Sequence, residues 1–187
     1  MSLTARVAAL GASCLLALAT PCSAESAAQA SPASPLDMLS EVGSGELTWF
    51  GLEVYEARLF NGGGPFAGVE SGGPVALQIT YRRNISREKL VETTREEWRR
   101  LEDELGLPAA ERVNAWLAEI DAMWPDVTPG DKITALVEPN GQTQFFGNDG
   151  LLGTVPDPAF GPAFLGIWLH PETKADGLRA QLLGEAR

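Results

Sequence analysis

The one histidine of the chain, His170, directly follows a run of large apolar residues in AFLGIWLHPET, residues 163–173. Catalysis by a histidine requires a partner that orients the ring and a reacting group beside it. No serine, cysteine or aspartate around His170 forms a recognisable nucleophile pattern. Between a helical stretch and Pro171, the ring suits a helix end, where the dipole favours positive charge. His170 is therefore expected to be dispensable. Both cysteines, Cys14 and Cys22, lie near the N-terminus, so one histidine and no further thiol are left to hold a transition metal, and neither a metal site nor a cofactor is expected. The carboxylates of Glu96-Glu97 and Glu102-Asp103-Glu104 read as solvated helix surface.

Arg58, in YEARLF, is the one cation of the first strand pair, and Tyr55 stands one strand period and a half before it. Arg58 could meet an acidic ligand, or it could sit on a strand surface paired with Glu56 or Glu53. Among the tryptophans at positions 49, 98, 116, 124 and 168, those on helical stripes are core or pocket wall. Tyr55, Arg58, Trp98 and Trp168 form the candidate ligand-binding set.

The elements that must position these groups follow from periodicity. GELTWFGLEVYEARLF reads as two strand segments with a turn or bulge at Gly51. In PVALQITYRR, Val75, Leu77, Ile79 and Tyr81 alternate with Ala76, Gln78, Thr80 and Arg82, the pattern of a half-buried strand. Ser86 then caps a helix with Leu90, Thr94, Trp98, Leu101 and Leu105 on its apolar positions. Beyond Gly106 and Pro108, a second helix carries Val113, Trp116, Leu117, Ile120, Met123 and Trp124. Asn140-Gly141 and Asn148-Asp149-Gly150 mark turns between three antiparallel strands. Asp157-Pro158 opens a helix through Leu169, with Phe160, Phe164, Ile167 and Trp168 on its apolar stripe. Thr173 to Asp176 resembles a capping box before a last helix closed by Gly184. Strands, helices, strands and helices in that order predict an α+β fold with an antiparallel sheet covered on one face.

Residues 1–24 pair one charge, Arg6, with an apolar core from Val7 to Ala19 and small residues at Cys22-Ser23-Ala24, which predicts a signal peptide cleaved near Ala24. The product is expected to be periplasmic or secreted and free of integral membrane association, because the apolar run is too short to span a bilayer. A lipidated Cys22 is the weaker reading, since Pro21 precedes it. Residues 25–35 are Ala/Ser/Pro-rich and read as a flexible leader, with one domain over 36–187. A formal net charge of −11 disfavours nucleic acid and anionic membrane surfaces as partners.

GSGELTWFGLEVYEARLF, PGDKITALVEPNGQTQFFGNDGLLGTVPDPAF and AFLGIWLHPETKADGLRAQLLG together resemble the chalcone isomerase-like proteins of bacteria, over nearly all of the chain beyond the leader. The resemblance implies an open-faced β-sandwich, with a cleft between the sheet and its helices. In plant enzymes of the wider superfamily that cleft cyclises chalcones, and fatty-acid-binding relatives hold an acyl chain there. The plant enzyme's arginine falls near Leu47, its strand threonine at Phe50 with Thr48 nearby, and its last threonine at Ile167. Its helical tyrosine and asparagine find no counterpart from Ile85 to Val113. Cyclisation needs a cation for the phenolate and donors for the enolate. The resemblance therefore implies a non-catalytic binder of a small apolar or amphipathic, fatty-acid-like molecule. The alternatives are an isomerase of the intramolecular lyase type, rearranged around Arg58, Tyr55, Tyr81 or Thr48, and a structural or interaction protein whose cleft is filled.

Overall fold

The structure is a computed structural model that describes residues 34–185; the expected signal peptide, residues 1–24, and the expected leader up to residue 33 lie outside the described residues. One sheet of six antiparallel strands runs in chain order: β1 (Ser40–Trp49), β2 (Leu52–Asn61), β3 (Val75–Tyr81), β4 (Lys132–Val137), β5 (Thr143–Gly147) and β6 (Gly150–Val155). Helices α1 (Arg87–Arg100) and α2 (Ala110–Met123) fill the connection from β3 to β4, and α3 (Phe160–Leu169) and α4 (Asp176–Leu182) follow the sheet.

Alternation along the strands sorts the two faces. Register partners Tyr55 and Tyr81, Ala57 and Ile79, and Leu59 and Leu77 all lie in the main core, which extends through Ile133, Ala135 and Phe145 to the buried faces of the helices. On the opposite face Phe60, Ala76 and Leu136 form a small separate cluster, covered by Leu36 and Leu39 from the turn that precedes β1. The helices therefore pack on one face, as the residue pattern predicts for an α+β fold, and the result is the open-faced sandwich that the resemblance implies.

Local chemistry explains most boundaries. The Ser86 hydroxyl accepts the Lys89 N–H at 3.3 Å and starts α1. Thr94 occupies a core position because its hydroxyl donates to the Leu90 carbonyl at 3.0 Å, which satisfies it inside the helix. Phe50 and Gly51 join β1 to β2 with φ of 49° and 75°, the two positive values of a tight primed hairpin turn. At β1, Gly43 and Gly45 admit the last helix: a Cβ on Gly43 would stand 2.2 Å from the Gln181 carbonyl oxygen. The capping box expected for α4 does not form. Thr173 instead donates to the Ile167 carbonyl at 2.8 Å and accepts the Ala175 N–H at 3.2 Å, while the Asp176 carboxylate accepts the Gly177 N–H. The threonine ties α3 to α4 rather than closing a reciprocal pair.

Candidate functional site

The sidedness of β2 decides what can reach the space between sheet and helices. Tyr55, Ala57 and Leu59 face inward, so Glu56, Arg58 and Phe60 face outward. Arg58 pairs with Glu41 on the open face and lies over the Phe60 ring, 5.4 Å from its centroid. Its partner is the carboxylate of β1, not Glu56 or Glu53, because β1 brings Glu41 alongside Phe60. The cation of the first hairpin is thus on the wrong face to meet anything held under the helices.

Beneath the helices, aromatic rings fill the interior. Trp98 and Trp116 are 5.7 Å apart, each packs edge-on to Phe160, and Phe145 links Phe160 to Phe164 and Trp124. Trp98 is 1 % exposed and donates its indole N–H to the Ala163 carbonyl at 3.0 Å. Its polar atom is satisfied within the fold, so Trp98 is a core residue rather than an open wall.

Burial is less complete at one rim. Leu47, Tyr55 and Trp168 are half-buried, Leu47 and Tyr55 are register partners, and Trp168 donates its indole N–H to the Tyr55 hydroxyl at 2.8 Å. Tyr81 stands against Tyr55 with ring centroids 6.4 Å apart. Burial pushes the Tyr55 phenol up to about 12, opposed by the Trp168 hydrogen bond and reinforced by the charge of Glu97. Burial also raises Tyr81, with Tyr55 adding to it. Both phenols are therefore neutral hydroxyls through the physiological range. The Tyr55 oxygen accepts from Trp168 and keeps its own proton to donate.

Of the four candidates the structure joins Tyr55 and Trp168 directly, buries Trp98 deeper, and separates Arg58 by the thickness of the sheet. His170 follows the end of α3, and its Nδ1 accepts the Glu172 N–H at 3.2 Å. Phe50, where the plant threonine would fall, is exposed on the hairpin tip, and Ile167 is buried.

Two carboxylates carry more than the sequence suggests. Glu97, expected on a solvated face, is largely enclosed. It holds Arg100 at 2.8 Å and Lys174 at 2.7 Å, while Arg100 also donates to the Glu172 carbonyl. Its carboxyl is held below the usual range, burial opposing and the two cations prevailing. Asp157 accepts from both Arg112 and the Trp116 indole, the latter at 2.9 Å. Arg112 first, then the Ala159 and Trp116 N–H groups, bring it down to about 2 against the cost of burial. The spacing of Arg112 and Trp116, one turn apart on α2, was the available signal for a shared partner. Among the described residues no group of three or more His, Cys, Asp or Glu side chains converges on a metal position, and no helix is long and apolar enough to cross a membrane.

Comparison with known proteins agrees with this architecture. The chain is 30 % identical over 155 residues to an uncharacterised protein of Haemophilus influenzae, covering 83 % of this chain and 73 % of that one. Its fold superposes on the crystal structure of a fatty-acid binding protein of Arabidopsis thaliana with a TM-score of 0.61 at 12 % identity, covering 81 % of this chain and 90 % of that one. The profile of the chalcone isomerase-like family matches residues 50–184. With the six-stranded sheet roofed on one face and a match through all but its first strand, this chain belongs to the chalcone isomerase-like family.

Proposed function

We propose that this protein is a non-catalytic binding member of its family, taking a small apolar or amphipathic molecule at the Leu47–Tyr55–Trp168 rim between sheet and helices. The observation that carries the proposal is the sidedness of β2. Arg58, the only basic residue of β1 and β2, is engaged with Glu41 on the far face, while the inner face offers apolar walls and neutral phenols. Stabilising a phenolate needs a fixed cation, and a hydroxyl in apolar surroundings suits a single ligand oxygen. The fatty-acid binding of the Arabidopsis thaliana protein supports an acyl chain as the ligand class. Export, supported by the N-terminal 24 residues, belongs to the same proposal and is tested by sequencing the N-terminus of the protein from culture medium or periplasm.

A fluorescent fatty acid titrated into the protein tests the ligand. Saturable binding, weakened by Tyr55→Phe and unaffected by Arg58→Ala, is expected. Absorbance of naringenin chalcone with and without protein is expected to show no acceleration. A rate enhancement lost in Arg58→Ala would overturn the proposal. A second reading, an interaction protein with a filled interior, is favoured by the continuous ring packing from Trp98 to Phe164; it requires that no probe binds.

A further inference from the structure

The β1–β2 hairpin carries its largest apolar side chains in water. Trp49 is 65 % exposed, Phe50 90 % and Leu52 54 %, and the Trp49 and Phe50 rings meet edge to face at 5.3 Å. Turn geometry does not account for them: the first position of a primed turn favours asparagine or glycine, and phenylalanine there adopts a left-handed backbone that β-carbon-bearing residues avoid. Core packing does not account for them either, since they touch little else. Beside the tip opens a shallow cleft of about 610 Å³ lined by Leu52, Glu53, Arg82, Arg83 and Asn84 among others. Arg82 is engaged with Glu56 at 2.8 Å, while Arg83 is exposed and forms no ion pair among the described residues.

We propose that this tip docks on a zwitterionic phospholipid bilayer. Trp49, Phe50 and Leu52 enter the boundary between headgroups and acyl chains, lipid phosphate meets Arg83, and the headgroup ammonium meets Glu53. Charge selects this occupant. The whole chain carries −11, so an anionic bilayer repels it, whereas a cleft holding both signs beside an apolar tip complements a headgroup that holds both signs and no net charge. Aromatic side chains whose rings reach the interface are the ordinary anchors of such contacts, and a tip this small gives weak, reversible attachment. The inference does not depend on the ligand reading above, because docking and interior binding are measured separately.

Co-sedimentation of the chain, purified from its own cells, with phosphatidylcholine–phosphatidylethanolamine vesicles and with phosphatidylglycerol vesicles tests it. Phe50→Asn removes the ring from a turn that asparagine fits, so this variant should fold at least as well as the parent. It should partition several-fold less, and Trp49→Ser with Phe50→Asn and Leu52→Ser at least about tenfold less. Arg83→Glu should weaken partitioning to zwitterionic vesicles as well. Any N-terminal segment is common to all variants, so the differences report on the tip alone. Partitioning that is absent, unchanged in the triple variant, or stronger on phosphatidylglycerol overturns the proposal. So does a concentration-dependent dimer that the triple variant abolishes while vesicles bind neither form, which would assign the tip to a second copy of the chain.

Discussion

The chain has two tyrosines, and both belong to the rim pair, so tyrosinate absorbance reports on the candidate site alone. Tyr55 is raised from 10.0 to about 12, mainly by burial, and Tyr81 is raised as well. A phenol whose folded pKa exceeds its unfolded value favours the fold in its neutral form. That contribution is complete below the unfolded value of about 10 and is lost as pH rises toward about 12. For Tyr55, two pH units correspond to roughly 3 kcal/mol, a sizeable part of the ~5–15 kcal/mol typical of a domain. Near-ultraviolet absorbance followed from neutral to strongly alkaline pH should show almost no tyrosinate at pH 10, then a steep rise that coincides with loss of the far-ultraviolet circular dichroism. Tyr55→Phe should move that transition to higher pH, yet cost about 1 kcal/mol at neutral pH by leaving the Trp168 N–H without its acceptor. A reversible titration near pH 10 of half the tyrosinate signal, with the fold intact, would refute this account and show that one phenol is solvated.

Asp157→Asn should cost about 1–3 kcal/mol, because Arg112 and the Trp116 indole lose a charged acceptor. Since the folded pKa of about 2 lies below the usual 3.8, the parent's stability should fall as pH drops between those values, and urea unfolding of the variant should lose that acid dependence. Gly43→Ala should destabilise by about 1–3 kcal/mol, since its Cβ meets helix backbone. Gly45→Ala should destabilise as well, because the Gln181 amide can swing aside but the Gln181 Cβ, 2.8 Å from the added carbon, moves only with the helix; thermal denaturation measures both. His170→Ala should cost under about 1 kcal/mol in urea unfolding, having only the Glu172 N–H to lose, whereas Trp98→Ala should cost on the order of 3–5 kcal/mol.

Periodicity made the strands and helices legible, because Val75 to Tyr81 and Trp116 to Trp124 must each bury one side of a regular element. The turn at Gly51 and the start of α1 at Ser86 were legible for a different reason: few residue types fit those backbone positions. The site was less so. Alternation places Arg58 opposite Tyr55 and Ala57, but which side the helices cover follows from the combined apolar content of all six strands, not from β2 alone. Glu97 read as a solvated helix carboxylate and Asp157 only as a helix cap because their partners, Lys174 and Arg112, stand 77 and 45 positions away and meet them only when the helices pack. The Tyr55–Trp168 bond joins residues 113 apart for the same reason. Local sequence records periodicity and caps, while long-range polar pairing leaves at most a trace such as the one-turn spacing of Arg112 and Trp116.

The two glycines of β1 have a consequence for the order in which the molecule is built. Strands β1 to β3 meet their neighbours as soon as each hairpin emerges, yet the inner surface of β1 at Gly43 and Gly45 has no covering until α4 arrives from the far end of the chain. That seam is therefore the last to close on synthesis and the first able to open without disturbing β4 to β6. Slow hydrogen exchange should reach β3 and β4 well before it protects the amides of β1, so that the first of these six strands is among the last to become part of the cooperative unit.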